Sequence, residues 1–193
     1  LTERVTQIEL AMERLRWLDR SLPENRYLLV NIPQFTLFGF EPDNPEGKAA
    51  LEIRVVVGKA GKHETPLLAK SMTHVIFSPY WNVPRSIAMK EILPKWRHDA
   101  SYIASQNMEL VGADGHVYSG EMGKQEQDDL VLGDFRLRQR PGTQNALGGI
   151  KFMFPNDDSI YMHDTPQQRL FLKDRRDFSH GCIRLADPMA VAM

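Results

Sequence analysis

The residues best suited to covalent chemistry lie near the end of the sequence. Cys182 is the only cysteine among 193 residues, and the run Ser-His-Gly-Cys-Ile-Arg places His180, Gly181 and Arg184 around it. A thiolate nucleophile needs a base or a cation close in space to lower a thiol pKa of about 8.5. His163, which ends a predicted strand 19 positions earlier, can supply that base if its strand and that of the cysteine are neighbours.

The segment around the cysteine also offers the other parts of an acyl-transfer site. Gly181 has no side chain, so the backbone there can turn sharply or approach a ligand closely. The amides of Gly181 and Cys182 can then point at a developing oxyanion. Strand alternation puts Cys182 and Arg184 on one face, and a guanidinium can hold a carboxylate with two hydrogen bonds. Together these residues could supply the nucleophile, the base, the oxyanion donors and the carboxylate anchor of an acyl-transfer site.

Each of these residues also has an ordinary structural explanation. A lone cysteine is more often a small buried apolar side chain than a nucleophile, and a lone histidine or arginine often serves only its own loop or a surface ion pair. Zinc is a further alternative, with His163, Asp164, His180 and Cys182 as ligands. Their spacing matches no compact zinc signature and a second cysteine is missing. The sequence therefore predicts no metal and no other cofactor.

The composition excludes some classes of partner. Basic and acidic residues number 24 and 25, for a net charge of −1, and this balance argues against nucleic acid because phosphate binding needs a basic surface. The sequence has no apolar run of the ~18 residues that span a bilayer, so these residues are not expected to cross a membrane. We expect a mature fragment whose signal or anchor lies outside it.

The elements that must position these residues are mostly strands. An amphipathic helix is predicted over residues 2–20, and Pro33 divides the next apolar segment into two short strands or a bulged edge hairpin. Further strands are predicted up to Gly58, around residues 71–78, and in 148–155 and 159–164. Asp187 before Pro188 is typical of a helix N-cap and first helical residue.

The pattern changes between residues 80 and 138. Residues 87–96 and 98–110 have helical patterns, and the polar stretch 120–130 is predicted to be a mobile loop. We therefore predict a mixed α/β, β-rich fold: an N-terminal helix or linker (1–22), a catalytic domain (23–79 and 139–193), and a small α-rich capping subdomain inserted in it (80–138). A continuous α+β domain without a separable insert remains an alternative.

The motif residues resemble a known catalytic signature. His-Asp-x-x-Pro at His163, fifteen intervening residues, and Ser-His-Gly-Cys-Ile-Arg from Ser179 to Arg184 are similar to the L,D-transpeptidases, the cysteine enzymes with an ErfK/YkuD-type domain that cross-link peptidoglycan. The segments VNIPQFTLFGF, VVVGK, SPYWNVPRSIAMKEILP and RPGTQNALGGIKFMFPN resemble the larger Gram-negative, YcbB-like members. The resemblance implies a β-sandwich-like catalytic domain with a capping insertion.

The same resemblance implies roles for individual residues. Cys182 matches the nucleophile, His163 the general base, and the backbone carbonyl of Asp164 its orienting partner. His180 and Gly181 match the loop whose amides, with that of Cys182, form the oxyanion hole. Five residues are expected to contact the substrate: Arg184, Ser179, Tyr161, Asn145 and Trp81.

The implied activity is the formation of 3→3 cross-links. A tetrapeptide stem would acylate Cys182 and release D-Ala, and an amine of a second stem would resolve the thioester. The expected partners are peptidoglycan stem peptides, with carbapenem-type β-lactams as covalent inhibitors, in the periplasm of a Gram-negative bacterium. Two other readings remain: a sortase-like cysteine peptidase or carboxypeptidase of the cell wall, and a non-catalytic cell-wall binding module with a buried cysteine.

Overall fold

The computed structural model describes residues 2–17, 25–42, 47–118 and 122–193, with the backbone alone for 14–17. The strands are β1 Tyr27–Asn31, β2 Thr36–Phe40, β3 Leu51–Gly58, β4 His74–Phe77, β5 Trp81–Asn82, β6 Met108–Gly112, β7 Val117–Tyr118, β8 Phe135–Gln139, β9 Ile150–Met153, β10 Met162–His163, β11 Asp177–Ser179 and β12 Ile183–Leu185. The helices are α1 Thr2–Trp17, α2 Arg85–Ile87, a π-helix Ala88–Ile92, α3 Leu93–His98, α4 Tyr102–Ser105, α5 Lys124–Leu132, a 3-10 helix Gln168–Leu172 and α6 Pro188–Ala192.

The larger sheet has the strand order β1-β2-β3-β12-β10-β9-β4, with β11 pairing to β3. β1 and β2 form the predicted antiparallel hairpin at one edge, where Phe35 turns the chain with a φ of 55°. β10 and β12 are parallel, whereas β12 pairs antiparallel with β3 and β9 antiparallel with β10. The mixed, strand-rich fold class predicted from the sequence is confirmed.

Alternation along the central strands separates a core face from a site face. Ile150 and Phe152 of β9, Met162 of β10, and Ile183 and Leu185 of β12 belong to one buried apolar cluster with Leu37, Val55 and Val57. Because successive side chains in a strand point to opposite faces, the residues between and beside them face the other way. That second face carries the predicted chemistry.

A smaller sheet has the order β5-β8-β6-β7. With the helices between residues 85 and 132 it surrounds its own buried apolar cluster, which includes Trp96, Ile103, Leu110, Leu130 and Leu137. The predicted α-rich insert thus also contains a sheet: residues 108–110, predicted helical, begin β6, whose five residues are all buried. The division into residues 80–138 and the remainder stays a prediction.

The polar stretch 120–130 was predicted to be a mobile loop, and this was wrong for its second half, where α5 begins at Lys124. The Glu126 side chain accepts the Gly123 N–H at 2.8 Å, which closes the first turn. Gly133 ends the helix in the left-handed region, with a φ of 99°. Leu130 is buried in the apolar cluster. The helix is thus held by its two caps and by one buried side chain, without a repeating apolar pattern.

The helix predicted over residues 2–20 is present as α1, Thr2–Trp17; the rest of that prediction lies outside the described residues. The expected apolar stripe of Val5, Ile8 and Met12 is exposed. Near the other end of the chain, the Asp187 carboxylate accepts the Ala190 N–H at 3.0 Å, which confirms the predicted N-cap. Among the described residues, no helix combines the length and apolar character needed to cross a membrane.

Candidate active site

Two parallel strands bring the predicted nucleophile and base together. β10 lies beside β12 with Met162 opposite Ile183 and His163 opposite Arg184. The Ile183 N–H donates to the Tyr161 carbonyl at 3.1 Å, so Tyr161 lies alongside Cys182 at the start of both strands. The predicted neighbouring-strand relation of His163 and Cys182 is confirmed.

The site occupies the sheet face opposite the core. Met162 and Ile183 point into the apolar cluster, so His163 and Arg184 point to the other face. On β9, Lys151 lies opposite His163 and between the core residues Ile150 and Phe152. Lys151 therefore joins His163 and Arg184 in one row across three strands.

Cys182 is half-buried, and its thiol is surrounded by polar groups. Its Sγ lies 3.9 Å from the Ser159 carbonyl oxygen, and Tyr161 lies alongside it. Burial raises the pKa of the Cys182 thiol, while Tyr161, Lys151 and Arg184 act in the opposite direction. The tyrosine and the two cations thus favour the thiolate, although desolvation disfavours it.

His163 is 5% exposed and is held by the backbone. Its Nδ1 lies 2.5 Å from the Asp164 carbonyl oxygen, which is the orienting contact expected from the sequence. Burial, reinforced by the charges of Arg184 and Lys151, lowers the pKa of His163 to about 3. The imidazole is therefore neutral at pH 7 and able to accept a proton. Within the described residues, no hydrogen bond joins it directly to the Cys182 thiol.

The Ser-His-Gly-Cys turn is closed by Ser179. Its hydroxyl donates to the Cys182 carbonyl at 2.6 Å and accepts the Gly181 N–H at 3.1 Å. Ser179 is only 3% exposed, so it shapes the turn from inside, in place of the predicted substrate contact. The Gly181 amide, predicted as an oxyanion donor, is already engaged. The Cys182 amide has no acceptor in the described part of the chain and stays available.

A second hydroxyl holds the turn from behind. Thr65 donates to the Gly181 carbonyl at 2.7 Å and accepts the Gly58 N–H at 2.9 Å. Gly181 has a φ of 116°, and a Cβ there would lie 2.9 Å from Cδ1 of Ile160. A side chain at this position would therefore be strained both by its backbone conformation and by its neighbour.

His180 faces the smaller sheet's helices. Its Nε2 lies 2.7 Å from a carboxylate oxygen of Glu91, a residue of the π-helix Ala88–Ile92. The His180 ring is also 4.9 Å from the ring of His63. The catalytic motif is thus in direct contact with the segment predicted to form a cap.

The nitrogen atoms of the Arg184 guanidinium have different hydrogen-bonding environments. Its Nη1 donates to the Gln167 side chain at 2.7 Å, whereas its Nε is buried without a hydrogen-bond partner. Burial lowers the pKa of Arg184, yet a guanidinium remains charged at neutral pH. A cavity of about 210 Å³ between the two sheets is lined by Arg184, Gln167 and Trp81, among others. An anionic group entering this cavity would meet an unpaired donor.

The remaining predicted substrate contacts have different environments. Burial raises the pKa of Tyr161, while Trp81 of β5 acts in the opposite direction. Asn145 is 1% exposed: its amide donates to the carbonyls of Pro79 at 3.0 Å and Arg140 at 2.9 Å. These contacts occupy the Asn145 amide within the protein, and its contact with substrate stays a prediction. The Asn145 side chain thereby links Pro79 and Arg140, which lie in the two segments where the chain passes between the larger and the smaller sheet.

The described residues contain no group of three or more His, Cys, Asp or Glu side chains placed to hold a metal. Sequence reasoning did not single out three residues of the site: Lys151, Thr65 and Glu91. The alternation of Ile150, Lys151 and Phe152 was a usable signal for Lys151. Thr65 and Glu91 reach the motif from 116 and 89 positions away, a separation for which a single sequence gives no signal.

Comparison with known proteins gives one consistent answer. The model of the L,D-transpeptidase catalytic domain matches residues 25–193. A protein of Haemophilus influenzae named "Putative L,D-transpeptidase" is 34% identical over 182 residues, which cover 94% of this chain and 35% of that protein. The chain thus spans about a third of this relative's length.

Proposed function

The chain belongs to the L,D-transpeptidase catalytic-domain family, and on that premise we propose that it forms 3→3 cross-links in peptidoglycan through a thioester on Cys182. The observation that carries this proposal is the shared sheet face of Cys182, Tyr161, His163 and Arg184, beside a cavity that the Arg184 side chain lines. A nucleophile, a neutral base and an anion anchor are the parts that peptide acyl transfer needs.

In the first half-reaction, the Cys182 sulfur attacks the carbonyl carbon of the third residue of a tetrapeptide stem. The C–S bond forms, and the carbonyl electron pair moves onto oxygen, where the Cys182 amide can donate to it. The C–N bond to D-Ala then breaks. His163, having taken the thiol proton, returns it to the departing amine. The low pKa of His163 disfavours the accepting step and favours the return of the proton to the amine.

In the second half-reaction, the side-chain amine of another stem attacks the thioester carbon. His163 takes a proton from this amine, the C–S bond breaks, and the thiol is regenerated as the cross-link forms. Arg184 would hold a stem carboxylate through its unpartnered Nε and its Nη groups. Trp81 and Tyr161 would form the wall between the thiol and the smaller sheet.

We also propose a role for the segment that contains the smaller sheet and a cellular location for the protein. Residues 80–138 would act as a capping subdomain, as in the larger members of the family, because Glu91 and Trp81 reach the motif from that segment. A lid that limits water favours an amine acceptor over hydrolysis. We also propose a periplasmic location, and acylation of Cys182 by carbapenems.

The test is incubation with a disaccharide tetrapeptide, read by mass spectrometry, with Cys182→Ala as the matched control. Loss of D-Ala together with a cysteine-dependent dimer is the expected result. Loss of D-Ala without a dimer would indicate a carboxypeptidase. If neither product forms and no carbapenem adduct appears on Cys182, the nucleophile assignment is wrong.

A further inference from the structure

Lys151 is a half-buried cation that the proposed chemistry does not yet use. It lies on β9 opposite His163, and its ammonium nitrogen is 3.9 Å from the centroid of the Tyr161 ring. That distance is well inside the range of a cation–π contact. Tyr161 in turn lies alongside Cys182, because the next residue, Ile183, donates its N–H to the Tyr161 carbonyl at 3.1 Å. Lys151, Tyr161 and Cys182 therefore form a chain of neighbours on the site face.

These neighbours of Cys182 matter because of the protonation state of His163. Many cysteine enzymes stabilise the thiolate with an imidazolium. In the resting site, burial and the neighbouring cations keep His163 neutral, so the imidazole supplies no positive charge until it takes the thiol proton. The positive charge that acts on the thiol comes from Lys151 and Arg184.

These two cations differ in their surroundings. Arg184 is hydrogen-bonded to Gln167 and faces the cavity proposed for the substrate. Lys151 is packed on the aromatic ring, and burial lowers its pKa while the nearby Cys182 opposes that shift. A substrate carboxylate would neutralise Arg184 in the complex, whereas the ring shields Lys151 on one side.

We propose that Lys151 is a positioning residue of the site, whose ammonium, seated on the Tyr161 ring, stabilises the Cys182 thiolate and thereby sets its reactivity. The inference rests on the proposed role of Cys182 as nucleophile. The charged and titratable groups that act on the thiol are Tyr161 just before β10, Lys151 on β9 and Arg184 on β12. His163 adjoins them on β10, and His180, paired with Glu91, precedes the cysteine in the turn.

The experiment measures the rate of Cys182 alkylation by iodoacetamide as a function of pH. Lys151→Met removes the charge and keeps an apolar chain of similar length, and Lys151→Arg keeps the charge. Lys173→Met is the matched control, because Lys173 also lies over an aromatic ring, that of Phe178, at 4.9 Å. We expect Lys151→Met to slow alkylation about tenfold at pH 7, because the thiolate is the reacting species and less of it is present. At high pH, where the thiol is fully ionised in both proteins, the two rates should become equal.

Lys151→Arg and Lys173→Met should keep the wild-type pH profile. Two results would overturn the proposal. One is an unchanged profile in Lys151→Met. The other is a Lys151→Met rate lowered equally at every pH, which would indicate altered access to the thiol. Restoration by Lys151→Arg excludes a general loss of folding as the explanation.

Alkylation needs no peptidoglycan, so this test is separate from that of transpeptidation. A lysine-dependent profile in a protein that makes no cross-link would support the Lys151 inference and contradict the proposed function. A Lys151→Met variant that cross-links with a raised KM, an unchanged kcat and an unchanged alkylation profile would identify Lys151 as a substrate contact and contradict the inference.

Discussion

Replacing Thr65 by valine should loosen the catalytic turn from behind. Valine has nearly the shape of threonine but lacks the hydroxyl, which donates to the Gly181 carbonyl and accepts the Gly58 N–H. Both bonds are buried. Water has little room to replace the hydroxyl, because even a Cβ on Gly58 would lie 2.0 Å from the His63 carbonyl oxygen. The substitution leaves one donor and one acceptor unpaired.

The expected cost follows from those two groups. A buried polar group that loses its partner costs about 1–3 kcal/mol, so the two groups together should lower the free energy of unfolding of Thr65→Val by about 2–6 kcal/mol. For a chain of this length that corresponds to a fall in Tm of roughly 4–24 °C. Turnover should fall as well, because Gly181 precedes the nucleophile and a small displacement of a reacting group can slow a reaction about a hundredfold.

The assays are thermal unfolding and cross-linking turnover, with Thr65→Ser as control. Serine keeps the hydroxyl and loses only a methyl group, so its Tm should stay close to that of wild type. Equal Tm values for Thr65→Val and wild type would refute the view that these two hydrogen bonds stabilise the turn. Equal losses in the serine and valine variants would assign the effect to the methyl group.

Four further outcomes are expected. Cys182→Ala should abolish turnover and change the free energy of unfolding by no more than about 1 kcal/mol in thermal unfolding; retained turnover would contradict the nucleophile assignment. Arg184→Ala should lower kcat/KM more than Arg184→Lys, because lysine keeps the charge and loses the fork; equal losses would argue against a two-bond contact. Glu91→Ala should lower kcat about 3- to 10-fold through misplacement of His180, with little effect on Tm because the pair is half-exposed; an unchanged kcat would show that the contact does not position the motif. Between pH 7 and pH 5 the free energy of unfolding of wild type should fall by about 2 kcal/mol more than that of His163→Gln. The cause is that the unfolded histidine takes up a proton below about pH 6.5, whereas the folded one, with a pKa of about 3, does not. An equal pH dependence of the two free energies in denaturant unfolding would contradict a neutral, buried His163.

Local patterns predicted the parts of the fold that depend on neighbouring residues. The β1–β2 hairpin, the end of β3 at Gly58 and the Asp187 N-cap each follow from a few consecutive residues. The failures have equally specific causes. Asn107, with a φ of 53°, ends α4 so that residues expected in a helix begin β6 instead. α5 depends on its caps and on the burial of Leu130, not on a repeating apolar pattern.

The site shows the same division. The spacing of His163 and Cys182 was compatible with adjacent strands, and β10 does lie beside β12. The connection between these strands, which contains the 3-10 helix Gln168–Leu172 and β11, was not predicted. The roles of Ser179 and Asn145 were not predictable, because their hydroxyl and amide groups could equally have faced a substrate. Only the burial of these side chains, and the carbonyls they contact, shows that they hold the backbone.

The motif is held differently on its two sides, and this difference suits the two proposed half-reactions. Behind the cysteine, buried hydrogen bonds from Ser179 and Thr65 fix the turn, and breaking any of them leaves an unpaired group. In front, Arg184 contacts the Gln167 side chain through an exposed bond, and such contacts exchange with water at little cost. A stem carboxylate can therefore displace Gln167 without moving the nucleophile. The two proposed half-reactions need this combination, because the donor and the acceptor must approach the same fixed sulfur from the adaptable side.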